Sequence, residues 1–234
     1  MKTESAGWNY VRGLEPLSLC DWPGKATCVI FLGGCNLYCP TCHNFDMAWH
    51  MEKLPVLPRA DIKSFLRNRA KWLDGVTITG GEPATVPNLG EILLEIRNVS
   101  KLPIKMDSNG MLPEIIEDIL QQGLVEKFAI DVKGPYEKYP ALTGQGVTAE
   151  TAQKNLERVF ELAKANPDAF YFRLTKVPIL TDDDVEIAKG YLPDGFDLTI
   201  QKYIPPRREH AHADNEAGRP VGNMVDKESC TGGI

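Results

Sequence analysis

Cys35, Cys39 and Cys42 fall within eight residues, in the stretch Cys35-Asn36-Leu37-Tyr38-Cys39-Pro40-Thr41-Cys42-His43-Asn44. A Cys-x3-Cys-x2-Cys loop can aim three thiolates at one centre, and thiolates suit zinc and iron–sulfur clusters alike. Zinc would take His43 as its fourth ligand. Adjacent Cys42 and His43 do not easily face one small ion, and structural zinc sites usually draw on two separated ligand pairs. A cubane 4Fe–4S cluster usually takes four cysteines. Three, with no fourth nearby, point to a cluster with one iron left open. Zinc and metal-free thiols stay as the alternatives. Crowding this tight argues against a disulfide framework and for metal or redox work in a reducing compartment. Of the other cysteines, Cys28 lies in an apolar run, where a thiol packs as a small hydrophobe. Cys20 and Cys230 read as structural or incidental.

The elements that must position this loop follow from hydrophobic pattern. Residues 26–33 are a short apolar, β-branched run, hence a buried strand ending at the cysteines. Further strands are expected at 76–79, 103–107, 127–133, 170–177 and 196–203. Amphipathic helices are expected between them, at 59–73, 89–99, from Pro113 to Gly123, and from the cap Thr148 to Ala165. Another begins at Thr181, with Asp182, Asp183 and Asp184 at the favourable end of its dipole. Asp21-Trp22-Pro23-Gly24 reads as a turn within a mixed stretch. Strand–helix alternation predicts a parallel sheet with right-handed crossovers. A closed eightfold barrel needs about 250 residues, and six units in about 180 fit an incomplete, open (β/α)6 barrel of the α/β class. A flat doubly wound sheet is the other arrangement. Residues 1–206 make this domain. Residues 207–234 read as a polar, mobile tail, in which His210, His212 and Cys230 could form a weak metal site.

Each strand then delivers something polar to one mouth, the end where parallel α/β folds bind ligands. After the first strand come the cysteines, and after the second come Gly80-Gly81-Glu82-Pro83. The third ends in Asp107-Ser108-Asn109 and the fourth in Asp131-Val132-Lys133. The fifth carries Arg173, and the sixth ends in Gln201-Lys202-Tyr203. Two glycines let backbone approach a ligand, and Glu82 suits an ammonium group. Asp131 and Lys133 share a strand face with Ala129, while Phe128, Ile130 and Val132 face the helices. Lys133 and Arg173 can each meet a carboxylate, Arg bidentately. A plain ion pair at the mouth is the competing reading for Asp131 and Lys133. Acids for an amine and bases for a carboxylate suit an amino-acid ligand.

Cys-x3-Cys-x2-Cys after one strand and Gly-Gly-Glu-Pro after the next resemble the radical S-adenosylmethionine (SAM) enzymes. Leu17-Ser18-Leu19, Asp21-Trp22-Pro23-Gly24, Gly34-Cys35-Asn36, Cys42-His43-Asn44, Asp107-Ser108-Asn109-Gly110, Asp131-x-Lys133, Ala141-Leu142-Thr143-Gly144 and Phe172-Arg173 extend the likeness. They make the chain similar to the glycyl-radical-enzyme activases over about residues 11–206. The likeness is strongest to anaerobic ribonucleoside-triphosphate reductase activating proteins, with pyruvate formate-lyase activating enzyme a cousin. The resemblance implies one 4Fe–4S cluster on Cys35, Cys39 and Cys42, with SAM bound to the open iron by its amino and carboxylate groups. It implies reductive cleavage of SAM and abstraction of a glycine Cα hydrogen in a partner protein by the 5′-deoxyadenosyl radical. By position, Gly80, Gly81 and Glu82 would contact the methionine amine. Asp107, Ser108 and Asp131 would line the methionine side, with a monovalent cation as an option there. Lys133 and Arg173 would act at SAM or at the incoming glycine loop, and Gln201 would stand near the ribose. Flavodoxin or ferredoxin is the implied electron donor. The family's usual aromatic residue before the third cysteine is Thr41 here, and Tyr38 is the nearest ring. No cysteine follows between Cys42 and Gly75, so a second cluster is not expected. A radical SAM enzyme of small molecules and a non-catalytic metal-binding module remain alternatives.

The totals agree with an ordinary globular enzyme: 234 residues, 43% hydrophobic, 25% charged. A net charge of −6 gives no electrostatic footprint for nucleic acid or an anionic membrane. No stretch approaches a membrane span. Residues 1–6 are polar and lack a secretory core, so a cytoplasmic protein is expected.

Overall fold

The computed structural model describes residues 6–206. Its strands are β1 (Val11–Ser18), β2 (Thr27–Leu32), β3 (Gly75–Gly80), β4 (Ile104–Ser108), β5 (Lys127–Asp131), β6 (Phe170–Lys176) and β7 (Leu198–Lys202). Its helices are α1 (Phe45–Trp49), α2 (Arg59–Arg69), α3 (Leu89–Ser100), α4 (Pro113–Gln121), α5 (Tyr139–Leu142), α6 (Ala149–Ala165) and α7 (Asp182–Lys189). The strands form one sheet whose order is the chain order, β1 to β7. Strands β2 to β7 are parallel, as the alternating pattern requires. Among the described residues β1 and β7 are the two edges, so the barrel is open.

β1 is an addition to the expected six strands. It pairs antiparallel with β2, with register irregularities between Val11 and Gly13 and between Glu15 and Ser18. Gly13 and Pro16 weaken its pattern, and both are tolerated because the strand is an edge. Residues 207–234, with His210, His212 and Cys230, lie outside the described residues.

Period two divides the sheet into two faces. Ile30, Val76, Ile78, Ile104, Met106, Phe128, Ile130, Phe172 and Leu174 are fully buried and join the helix-facing core. Helices complete that core with stripes at helical spacing: Leu89, Ile92, Leu93 and Ile96 on α3, and Leu156, Val159, Phe160 and Ala163 on α6. The expected caps form. The Thr148 hydroxyl accepts from the Thr151 amide, and Thr181 and Asp184 make a reciprocal capping box. The other face of the sheet carries Thr27, Thr77, Lys105, Asp107, Asp131 and Arg173. A core that is apolar outside and polar inside leaves the interior free to hold charge. Among the described residues no helix is long and apolar enough to cross a membrane.

Candidate functional site

The cysteine loop begins where β2 runs out. The Gly33 amide donates to the Tyr10 carbonyl (2.7 Å) and the Gly34 amide to the Met47 carbonyl (2.9 Å). Between Cys35 and Cys39 every residue is held. Asn36 Oδ1 accepts from Asn109 Nδ2 (2.8 Å), the Leu37 carbonyl accepts from Trp49 Nε1 (2.8 Å), and the Tyr38 amide donates to the Thr143 carbonyl (3.0 Å). The Cys42 amide closes a turn on the Cys39 carbonyl (3.1 Å). Cys35, Cys39 and Cys42 are half-buried thiols outside any disulfide. Burial pushes the Cys35 thiol up to about 12, so metal binding must draw off its proton. Beyond the cysteines, Asn44 Nδ2 donates to the Gly80 carbonyl (2.8 Å). His43 Nε2 donates to the Ile204 carbonyl, and its ring lies 6.2 Å from that of Tyr203. The end of β7 thus reaches the loop that follows β2.

Gly80 and Gly81 serve this corner first as backbone. A Cβ on Gly80 would sit 2.2 Å from the Leu32 carbonyl oxygen, and one on Gly81 would sit 1.9 Å from that of Gly34. The Gly81 amide donates to Leu32 and the Glu82 amide to Gly34, each at 2.8 Å. The pair therefore seams β3 to the entry of the cysteine loop. Glu82 is 2% exposed. One carboxylate oxygen accepts from the Ala84 amide (3.1 Å) and Ser108 Oγ (2.9 Å), the other from the Asn109 amide (2.6 Å). Burial outweighs these three donors and raises the Glu82 carboxyl to about 7. Glu82 thus ties the end of β4 to that of β3.

The remaining strand ends are joined by charge. Arg173 Nη2 lies 3.2 Å from Asp107 and its Nε donates to Asp131 (2.6 Å). Lys133 Nζ is 3.8 Å from the other Asp131 oxygen. Lys105, fully buried, donates to Asp107. Burial depresses the Lys105 ammonium, with Asp107 opposing. Burial favours the neutral Asp107, but Arg173 and Lys105 hold its carboxyl low. Burial also works against the Lys133 ammonium, yet the Cys39 and Asp131 charges keep it raised. Lys133 is therefore within electrostatic reach of the Cys39 and Cys35 thiols. The optional monovalent cation would meet a carboxylate, Asp107, that already holds two protein cations.

The structure thus gathers Asp107, Asp131, Lys133 and Arg173 in one network and Glu82 with Ser108 in another. Gln201 stands apart at the exposed end of β7, accepting from Thr175 Oγ1 (3.3 Å). Lys105 was not singled out from sequence as part of the site, and Asn36 and Asn109 stood in the quoted motifs without an assigned role. Lys105 carried a readable signal, since it lies two before Asp107 and shares its face. Among the described residues no three His, Cys, Asp or Glu side chains converge closely enough to hold one metal ion. The fit of the loop to a cluster rests on donor type, donor number and the ammonium within electrostatic reach of it.

A family model described as the Radical SAM superfamily matches residues 29–190. A Methanocaldococcus jannaschii protein named as a glycyl-radical enzyme activating enzyme is 32% identical over 200 residues, covering 83% of this chain and 80% of its own. The pyruvate formate-lyase-activating enzyme of Clostridium pasteurianum is 27% identical over 187 residues, covering 76% and 73%. The fold matches that of Streptococcus suis SuiB, solved with S-adenosylmethionine, at a TM-score of 0.52 and 14% identity. That match covers 76% of this chain and 38% of SuiB, so the chain spans under two fifths of that protein. The chain belongs to the radical SAM superfamily, a family of enzymes that use a 4Fe–4S cluster and S-adenosylmethionine.

Proposed function

We propose that the chain is an activase that installs a glycyl radical on a partner enzyme, and that the partner is an anaerobic ribonucleotide reductase. The cluster would be held by Cys35, Cys39 and Cys42. When bound, cluster and SAM supply an electron and the 5′-deoxyadenosyl radical. The protein's own groups then bind, orient and shield. Lys133 and Arg173 are placed for a carboxylate, of SAM or of the incoming glycine loop. The Asp131 side chain, still 36% exposed, can take an ammonium group. Gly80, Gly81 and Glu82 line the amine side through the backbone they seam, and Ser108 is held there by Glu82. Gln201 remains the candidate for the ribose. A flavodoxin or ferredoxin would deliver the electron.

The observation that carries the reading is the open inner face along the β7 edge, together with the kinship to activating enzymes. Every residue of β7 after Leu198 is exposed, so a loop of another protein has a lateral way to the strand ends. A docked partner would then exclude water from a reactive radical. Residues 134–147, beside the cysteine loop, would contribute to partner choice. The test begins with anaerobic reconstitution, then dithionite and SAM, reading 5′-deoxyadenosine. Addition of an anaerobic ribonucleotide reductase should give a protein glycyl-radical signal by paramagnetic resonance. Cleavage without that signal, with pyruvate formate-lyase also silent, would favour a small-molecule substrate. No cleavage by a fully loaded cluster would sink the reading.

A further inference from the structure

We propose that residues 139–146 are a clamp that sets the path of the chain between Cys35 and Cys39, with Gly144 as its pinch point. The clamp thereby determines how firmly the cluster is held. The three residues separating those cysteines are fixed by three different elements, and residues 143–146 run along the backbone of all three. The Thr143 carbonyl takes the Tyr38 amide at 3.0 Å. At Gly144 the backbones come so close that a Cβ would stand 2.2 Å from the Tyr38 oxygen and 2.9 Å from its carbonyl carbon. A Cβ on Gly146 would lie 3.2 Å from the Thr143 oxygen and in van der Waals contact, at 3.4 Å, with both the Asn36 oxygen and the Leu37 Cα.

A clamp must itself be anchored, and this one is. Tyr139 and Thr143 are fully buried. Thr143 Oγ1 and the Thr143 amide both donate to the Tyr139 carbonyl, at 2.7 and 2.8 Å. The Gln145 amide donates to the Pro140 carbonyl (2.7 Å). The Tyr139 hydroxyl accepts the Lys133 amide at 3.0 Å, which roots the segment on the end of β5. One short piece of chain thus fixes the arc bearing two thiols and the residue whose ammonium lies within electrostatic reach of them. Groups that orient metal ligands from outside often matter nearly as much as the ligands.

The competing explanation is that Gly144 merely ends α5. A left-handed glycine after a helix is ordinary. Gly123 provides the control. It follows α4 with φ +62°, against φ +65° at Gly144, but a Cβ there would meet nothing within 4 Å. Gly123→Ala and Gly144→Ala therefore carry the same backbone strain, and only the second intrudes on the cysteine loop.

Both variants of the full chain are reconstituted anaerobically. The readouts are iron and sulfide per chain, the chelator concentration that strips half the iron, and the paramagnetic spectrum of the reduced cluster. Gly123→Ala should match the parent. Gly144→Ala should melt below Gly123→Ala, because its Cβ meets backbone; at a temperature where both are folded it should yield its iron at about tenfold lower chelator concentration, with a shifted spectrum. Identical iron retention and identical spectra for the two variants would overturn the proposal. If Gly144→Ala fails to fold, Gly146→Val decides, because that position has no left-handed backbone to strain and a side chain longer than a methyl must displace the Asn36–Leu37 backbone. A smaller loss of iron retention at a temperature where the variant is folded supports the clamp, and retention equal to the parent overturns it.

Discussion

On the β2–β3 side of the mouth, functional groups are placed by backbone contact; on the β4–β6 side they are placed by charge. Gly80 and Gly81 press against the Leu32 and Gly34 carbonyls with no room for a side chain. Glu82, the ionisable group of that side apart from the thiols, is surrounded by neutral donors. Across the mouth, Lys105, Asp107, Arg173, Asp131 and Lys133 alternate in sign along three strands, three cations against two anions. A thiolate-ligated cluster carries negative charge. The difference teaches that a cluster held at this mouth would be seated by geometry on one side and met by a surplus of positive charge on the other.

Four measurements would break or sharpen this contrast. The largest effect is expected from Gly81→Ala. A Cβ 1.9 Å from a backbone oxygen cannot be relieved by a rotamer change, so the stability loss should reach about 4 kcal/mol or the chain should not fold. A urea melt within 1 kcal/mol of the parent, as an order of magnitude, would refute the seam. Next is Lys105→Met. Removing one partner from a buried ionic network should cost about 3 kcal/mol, read by the same melt, and would leave Asp107 to pull Arg173 from its shared position. A neutral outcome would mean the network contributes nothing net.

The third measurement is a pH profile on the cluster-free protein. Glu82 has a folded value of about 7 against an ordinary 4.5, so the folded state holds its proton more tightly. Stability from this group is therefore full below pH 4.5 and falls by about 3 kcal/mol as pH rises through 7. The difference between wild type and Glu82→Gln isolates it, and equal slopes in that window would contradict the assignment. The smallest stability effect belongs to Lys133→Met. Its pairing with Asp131 is long, at 3.8 Å, and partly exposed, so the melt should move by less than about 1 kcal/mol. SAM affinity should nevertheless weaken about tenfold, because the charge proposed to meet the ligand's carboxylate is lost. Unchanged binding would return Lys133 to a structural role.

How much of this could be read beforehand differs by region for physical reasons. The strands β2 and β3 announce themselves because both of their faces are enclosed by the fold, giving short β-branched runs. Thr148 and Thr181 sit where capping chemistry is local and visible. β1 hides because Gly13, Pro16 and two register irregularities break its alternation. Lys105 hides because lysine in a strand normally reads as solvated, although its two-residue offset from Asp107 was available. The Asn36–Asn109 bond spans 73 positions and has no local signature. Gly80 and Gly81 were read as room for a ligand; their tightest neighbours are the backbone of β2 and of the loop that follows it.

Strand order that follows chain order also has a consequence for synthesis. Each parallel strand, on emerging, finds its partner already in place, which suits folding from the N-terminus onward. The cysteines appear early, after β2, yet the groups that fix their loop arrive in succession: Asn109 after β4, Thr143 and Gly144 after β5, Ile204 after β7. The loop is finished only when nearly the whole domain has been made. A nascent chain thus exposes its thiols long before the contacts that hold their loop are complete, and the loop takes its final form only once the last strand is docked.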